Sequence, residues 1–96
     1  MKSKLLRLVY LAKALMELGE DVVIIDDVLI VYRDTAPKKH DVSKAELKTM
    51  LHSLKHYGVV EPLGRGRYFV FKQALISFWN RLKEKFRKGR TLCLLF

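Results

Sequence analysis

Ser43-Lys44-Ala45-Glu46-Leu47-Lys48-Thr49-Met50-Leu51-His52-Ser53-Leu54-Lys55-His56-Tyr57-Gly58-Val59 is the stretch on which the reading of this fold turns. Ser43 with Glu46 three residues later is the pattern of a capping box. The serine oxygen accepts the N–H of the third helical residue, and the glutamate carboxylate accepts the N–H of the serine. From Leu47, apolar residues recur at +3, +4, +7 and +10 as Met50, Leu51, Leu54 and Tyr57, the period of a helix that buries one face. Gly58 stands where a left-handed residue ends a helix, and Val59 follows where it can touch Leu54 in a Schellman turn. The opposite surface carries Ala45, Lys48, Thr49, His52 and His56, flanked by Lys44 and Lys55, with no acid besides Glu46. A helix over residues 43–57 with one apolar and one basic face is predicted.

Working outward, Val59-Val60-Glu61-Pro62, Leu63-Gly64-Arg65-Gly66 and Arg67-Tyr68-Phe69-Val70-Phe71 read as strand, turn and strand. Pro62 has no N–H to donate and belongs at an edge or at the mouth of the turn. Gly64 and Gly66 supply positive φ. They are not followed by Lys-Ser/Thr and a helix, as a phosphate loop requires. A last helix, about 73–88, places Leu75, Phe78, Trp79, Leu82 and Phe86 on one side and Arg81, Lys83, Lys85, Arg87 and Lys88 on the other; Leu92 to Phe96 form an apolar end. Toward the N-terminus, Leu5, Leu8, Val9, Ala12, Leu15 and Met16 mark an amphipathic helix over 3–18, with Ser3 to cap its start and Gly19 its end. Residues 21–35 admit two readings. One is a short strand over Val22–Ile25 and then a helix capped by Asp26 that buries Val28, Leu29 and Tyr32. The other is two strands, since Val and Ile favour sheets. The first is preferred. Thr35 to His40 reads as a polar connection.

The chain has 96 residues, 50% hydrophobic and 30% charged. That is enough for one domain with one core, taken as residues 1–96. Its mean hydropathy of +0.01 fits neither a disordered nor a membrane-spanning chain. The N-terminus lacks the pattern of a signal peptide, and Cys93 alone cannot close an internal disulfide. A reducing, cytoplasmic setting is expected. Nineteen Lys and Arg against ten Asp and Glu give +9. The excess is uneven: residues 17–37 hold Glu17, Glu20, Asp21, Asp26, Asp27 and Asp34 against Arg33 alone, whereas residues 38–96 hold fourteen bases and four acids. Such a molecule meets a polyanion with one face.

The helical segment, the apolar Leu51 and Leu54, the Tyr57-Gly58-Val59-Val60-Glu61 passage and Gly64-Arg65-Gly66-Arg67-Tyr68 together resemble the winged helix-turn-helix family over residues 3–72. The resemblance implies an α+β fold: a three-helix core and a β-hairpin wing, here with an extra C-terminal helix. It also implies a duplex-DNA partner, with residues 43–57 as the recognition helix in the major groove and residues 59–71 as the wing on backbone or minor groove. The type is that of small transcriptional regulators of archaea and their viruses; for a virus the setting is the host cytoplasm. Carried over, Ser43, Lys44, Lys48, Thr49 and His52 would face DNA, with Arg65 and Arg67 on the wing. Ser43 would reach a phosphate only if its hydroxyl is free of the cap. The helix has no Arg, Asn or Gln, so base reading would rest on Lys48 at guanine, Thr49 at a thymine methyl and His52 at a base edge.

Other readings stand beside this one. His52 and His56 are spaced as two metal ligands on a helix, but a zinc site needs three or four, so no metal is expected. Asp26 and Asp27 are neighbours in sequence and point about 100° apart on a helix, so they do not form a catalytic pair; no enzyme and no cofactor are expected. Leu75, Phe78, Trp79, Leu82 and Phe86 are expected at a homodimer interface, because two-fold dimers place two recognition helices on one duplex. Packing of this stripe on the first helix, or binding to a membrane surface, is the alternative. For the whole chain, a protein-assembly module or an RNA-binding protein competes with the DNA regulator.

Overall fold

The computed structural model describes residues 2–88 and, within them, the side chains of residues 5–85. The proposed Ser3 cap, Phe86 and the apolar end with Cys93 lie outside the described side chains. In chain order the elements are α1 (Lys2–Leu18), β1 (Val22–Ile24), α2 (Ile25–Thr35), a 3-10 turn (Lys38–His40), α3 (Lys44–His56), β2 (Val60–Gly64), β3 (Arg67–Val70) and α4 (Lys72–Lys88). The result is an α+β fold with four helices and a three-stranded antiparallel sheet among the described residues, in the strand order β1-β3-β2. None of the described helices is long and apolar enough to cross a membrane.

α3 forms as its sequence dictates. Glu46 N–H donates to Ser43 Oγ at 3.2 Å, and Ser43 N–H donates to Glu46 Oε1 at 2.9 Å. Because these bonds favour the carboxylate, and Arg7 adds positive charge, the Glu46 carboxyl is held below its usual value. At the other end, Gly58 N–H donates to Lys55 O and Val59 N–H to Leu54 O, both Schellman bonds, with Gly58 at φ +75°. Leu47, Leu51 and Leu54 are fully buried.

Residues 21–35 are strand and then helix, with no residue between β1 and α2. β1 pairs with β3 in the register Val22↔Phe69, Val23↔Tyr68, Ile24↔Arg67. The ladder is extended by Val70 N–H to Asp21 O and by Ile25 N–H to Gly66 O, at 2.7 and 2.8 Å. Gly66 is favoured as a glycine: a Cβ there would lie 3.1 Å from Ile25 Cγ2, at a backbone φ of +75° that strains a side chain. Asp26 does not cap α2. The N-cap is Ile24, extended and without a side-chain bond, so that Asp26 and Asp27 fall in the first turn, where the helix dipole favours acids.

Two further expectations change. The connection after α2 is anchored, not merely polar. Tyr32 Oη donates to His40 O at 2.8 Å, Arg33 Nη2 to Val42 O and Arg33 Nε to Asp41 Oδ1, both at 3.1 Å. His40 is buried beside the Tyr10 ring and Val42 is buried too. Burial pushes the Tyr32 phenol up to about 12 and the His40 imidazole below its usual value. The second change concerns α4. Leu75, Phe78 and Leu82, expected at a dimer contact, are 3–4% exposed, and α4 lies along α1 with the Phe78 ring 5.0 Å from that of Tyr57. They belong to the chain's own core, against which Trp79 packs half-buried. α1 is buried more widely than its stripe indicated: Tyr10, Leu11 and Ala14 join Val9, Ala12 and Leu15 inside, and Met16 is exposed. α2 and α4 both pack on α1, which explains the excess.

Candidate nucleic-acid interface

α3 and the hairpin enclose a cleft of about 340 Å³, lined by Lys48, Thr49, Leu51, His52, Lys55, Pro62 and Tyr68. Its floor is apolar. Leu51 is fully buried and Tyr68 nearly so, which fixes the hairpin against the helix. Lys48, Thr49, His52 and Lys55 are exposed and follow one another at helical spacing along α3. Thr49 Oγ1 donates to Ala45 O at 3.2 Å, engaging its only donor on its own backbone. The His52 and His56 rings meet edge to face, 5.0 Å apart. Among the described residues, no group of three or more His, Cys, Asp or Glu side chains converges on a point where a metal ion could sit.

The hairpin turn is tighter than Leu63–Gly66. β2 runs to Gly64, past a register shift after Pro62, and only Arg65 and Gly66 turn the chain. Both have positive φ, +55° and +75°, as a two-residue I′ turn demands. For Arg65 this is an uncommon conformation, costing about 1 kcal/mol or more relative to glycine. The turn thus displays an exposed cation from a position that favours Gly or Asn.

The expected contact residues separate into three groups. Lys48, Thr49 and His52 line the cleft, and Arg65 stands at the hairpin tip beyond Pro62. Arg67 lies on the other face of β3, because strand residues alternate and its neighbour Tyr68 is the one turned inward. Ser43 and Lys44 sit at the N-terminal end of α3, and both are engaged. Ser43 Oγ is the cap acceptor, and Lys44 Nζ lies 2.9 Å from Asp26 Oδ1. The cleft also contains Lys55, Pro62 and Tyr68, which sequence reasoning did not include. Lys55 was legible as the residue three beyond His52 on the same face, whereas Tyr68 enters only through strand pairing.

Charge is distributed accordingly. Arg7, Arg33 and Lys44, at the N-terminal end of α3, pair with Glu46 (3.5 Å), Asp41 (3.1 Å) and Asp26 (2.9 Å). Lys48, Lys55, Arg65 and Arg67 make no ion pair among the described residues, and no acid lines the cleft. No protein-family model, curated protein or solved structure matches the chain.

Proposed function

We propose that this chain is a winged-helix protein that binds duplex DNA, with α3 in the major groove and the hairpin on the backbone or in the minor groove, in the manner of a small transcriptional regulator. One observation carries the reading: exposed, unpaired cations on two rigidly held elements (Lys48 and Lys55 on α3, Arg65 at the hairpin tip) flank a cleft free of acids. Cations in such a place neutralise phosphates and release condensed counterions, which drives association with a polyanion. Arg65, kept where the backbone would favour glycine, is a second support, since strain of this kind concentrates at functional positions. Within the interface Lys48 and His52 are the base-reading candidates, Lys55 and Arg65 contact phosphates, and Arg67 reaches the backbone from the outer sheet face. Leu75, Phe78 and Leu82 serve the monomer's core, so the reading rests on contacts a single chain makes with one duplex.

The test is affinity for a random duplex of about 30 base pairs across a salt series, beside a fragment from upstream of the protein's own coding sequence. A steep negative slope is expected, with the upstream fragment bound about tenfold tighter or more at about 150 mM salt. Equal steep binding to both duplexes would reduce the protein to a sequence-independent binder, and negligible binding to either would overturn the reading.

A further inference from the structure

The ion pair between Lys44 and Asp26 invites a different role for the acidic segment from helix capping. Lys44 is the first residue of α3. A cation there lies over the positive end of the helix dipole and is disfavoured unless an anion stands beside it. Asp26 is that anion. Its carboxylate caps nothing, it projects from the first turn of α2, and its contact with Lys44 Nζ is 2.9 Å. Both side chains are more than half exposed, at 56% and 65%, so the pair is held weakly and a competing anion can reach it. Lys44 also stands one helical turn before Lys48, at the head of the row that runs along the cleft as Lys48, His52 and Lys55.

We infer that Asp26 is a built-in competitor for the Lys44 ammonium, a carboxylate standing where a DNA phosphate would otherwise bind, so that Lys44 joins the interface only when a duplex displaces Asp26. This inference rests on the duplex reading above. Contacts that bring a phosphate to Lys44 must first separate it from Asp26 and then tolerate the carboxylate left nearby. Loosely docked polyanions therefore gain little from Lys44, and a duplex seated along the whole of α3 gains more. Asp26 is in this sense a specificity-determining residue that need not touch DNA.

A double-mutant cycle tests it, using Asp26→Asn, Lys44→Ala and the pair, with thermal unfolding recorded for each and affinity measured on a random duplex at two or more salt concentrations. Asp26→Asn keeps the shape and removes the charge. It is expected to bind the random duplex about two- to fivefold tighter than the parent protein, the range set by an exposed ion pair. In the Lys44→Ala background the same substitution is expected to lose most of that gain, because the competitor then has nothing to hold. Parent-like binding by Asp26→Asn overturns the inference while leaving the duplex reading intact. An equal gain in both backgrounds also overturns it, since Asp26 would then act by general repulsion. Absence of duplex binding by the parent protein overturns the duplex reading and this inference together.

Discussion

The two ends of the surface that α3 presents are built from the same residue types and handle charge in opposite ways. At its N-terminal end three cations have acids: Arg7 has Glu46, Arg33 has Asp41 and Lys44 has Asp26. The acids come from α2, from the connection before α3 and from α3 itself, so the pairs link α1 and α2 to α3 and α2 to that connection. In the cleft, one to three turns further on, Lys48 and Lys55 have none among the described residues, and neither has Arg65 at the hairpin tip. A net charge of +9 conveys none of this. What matters for a polyanion is which cations remain unneutralised after folding. By that measure the first turn of α3 is neutralised by its neighbours, whereas the turns facing the hairpin keep their positive charge.

This contrast can be broken from beneath. Leu51 is fully buried under the cleft and belongs to the core that holds both ends in place. Leu51→Ala is expected to destabilise the protein by about 2–5 kcal/mol, measured by denaturant unfolding, with the spread set by how far the cavity collapses. It should weaken duplex binding only in proportion to the unfolded fraction. A loss of affinity in a fully folded sample would show that the cleft also depends on the shape of this residue.

The next largest effect sharpens the contrast at the hairpin. Arg65→Ala with Arg67→Ala is expected to flatten the salt dependence of duplex binding by up to about two units, with Arg65 responsible for the greater share. Arg65→Gly separates binding from folding. It should lower affinity as Arg65→Ala does, yet stabilise the chain by up to about 1 kcal/mol because the turn then carries no left-handed arginine. An unchanged slope in the double variant would remove the hairpin from the interface. At the opposite end, Ser43→Ala is expected to cost about 1 kcal/mol of stability through the lost cap, with the salt slope unaltered. A changed slope would place the cap within the interface.

Acid titration should produce the smallest effect, confined to the N-terminal end. His40 lies below its usual 6.5 because it is buried and because Lys39 and Arg7 are close; the native state therefore takes up a proton less readily than the unfolded chain. Its contribution is complete above 6.5 and is lost as the pH falls through the native value. Glu46 lies below its usual 4.5 because of its bonds to Ser43, so its contribution persists above 4.5 and disappears at still lower pH. Unfolding free energy measured against pH should decline in two stages, and Glu46→Gln should abolish only the lower one. A lower stage that survives in the Gln variant would mean that other carboxylates account for it.

Much of the candidate site could be read directly because its determinants are local. The capping box, the 3.6-residue stripe and the Gly58 terminator lie within one helix length of each other. The residues opposite the stripe follow from the same period, so Lys48, Thr49 and His52 were visible as one face, with Lys55 on its flank. The parts that escaped depend on partners distant in sequence. Tyr68 enters the cleft, and Arg67 leaves it, because of the pleat of β3 and its pairing with β2. Asp26 could pass for a cap until β1 was seen to run straight into α2, with Ile24 at the cap position.

From the sequence alone follow the extents of α1 and α3, the presence of the hairpin, the end signals of α3, and an uneven basic charge, since each arises from neighbours within a few residues or from composition. Only the tertiary structure decided the rest. It decided that Ile25–Thr35 is a helix and gave the short strand before it a partner in β3, more than forty residues later. It sent Leu75, Phe78 and Leu82 inward, because α1 offered them an apolar surface that no periodicity reveals. And it determined which cations are already paired, because an ion pair depends on distance through space, and helices from three parts of the chain set that distance.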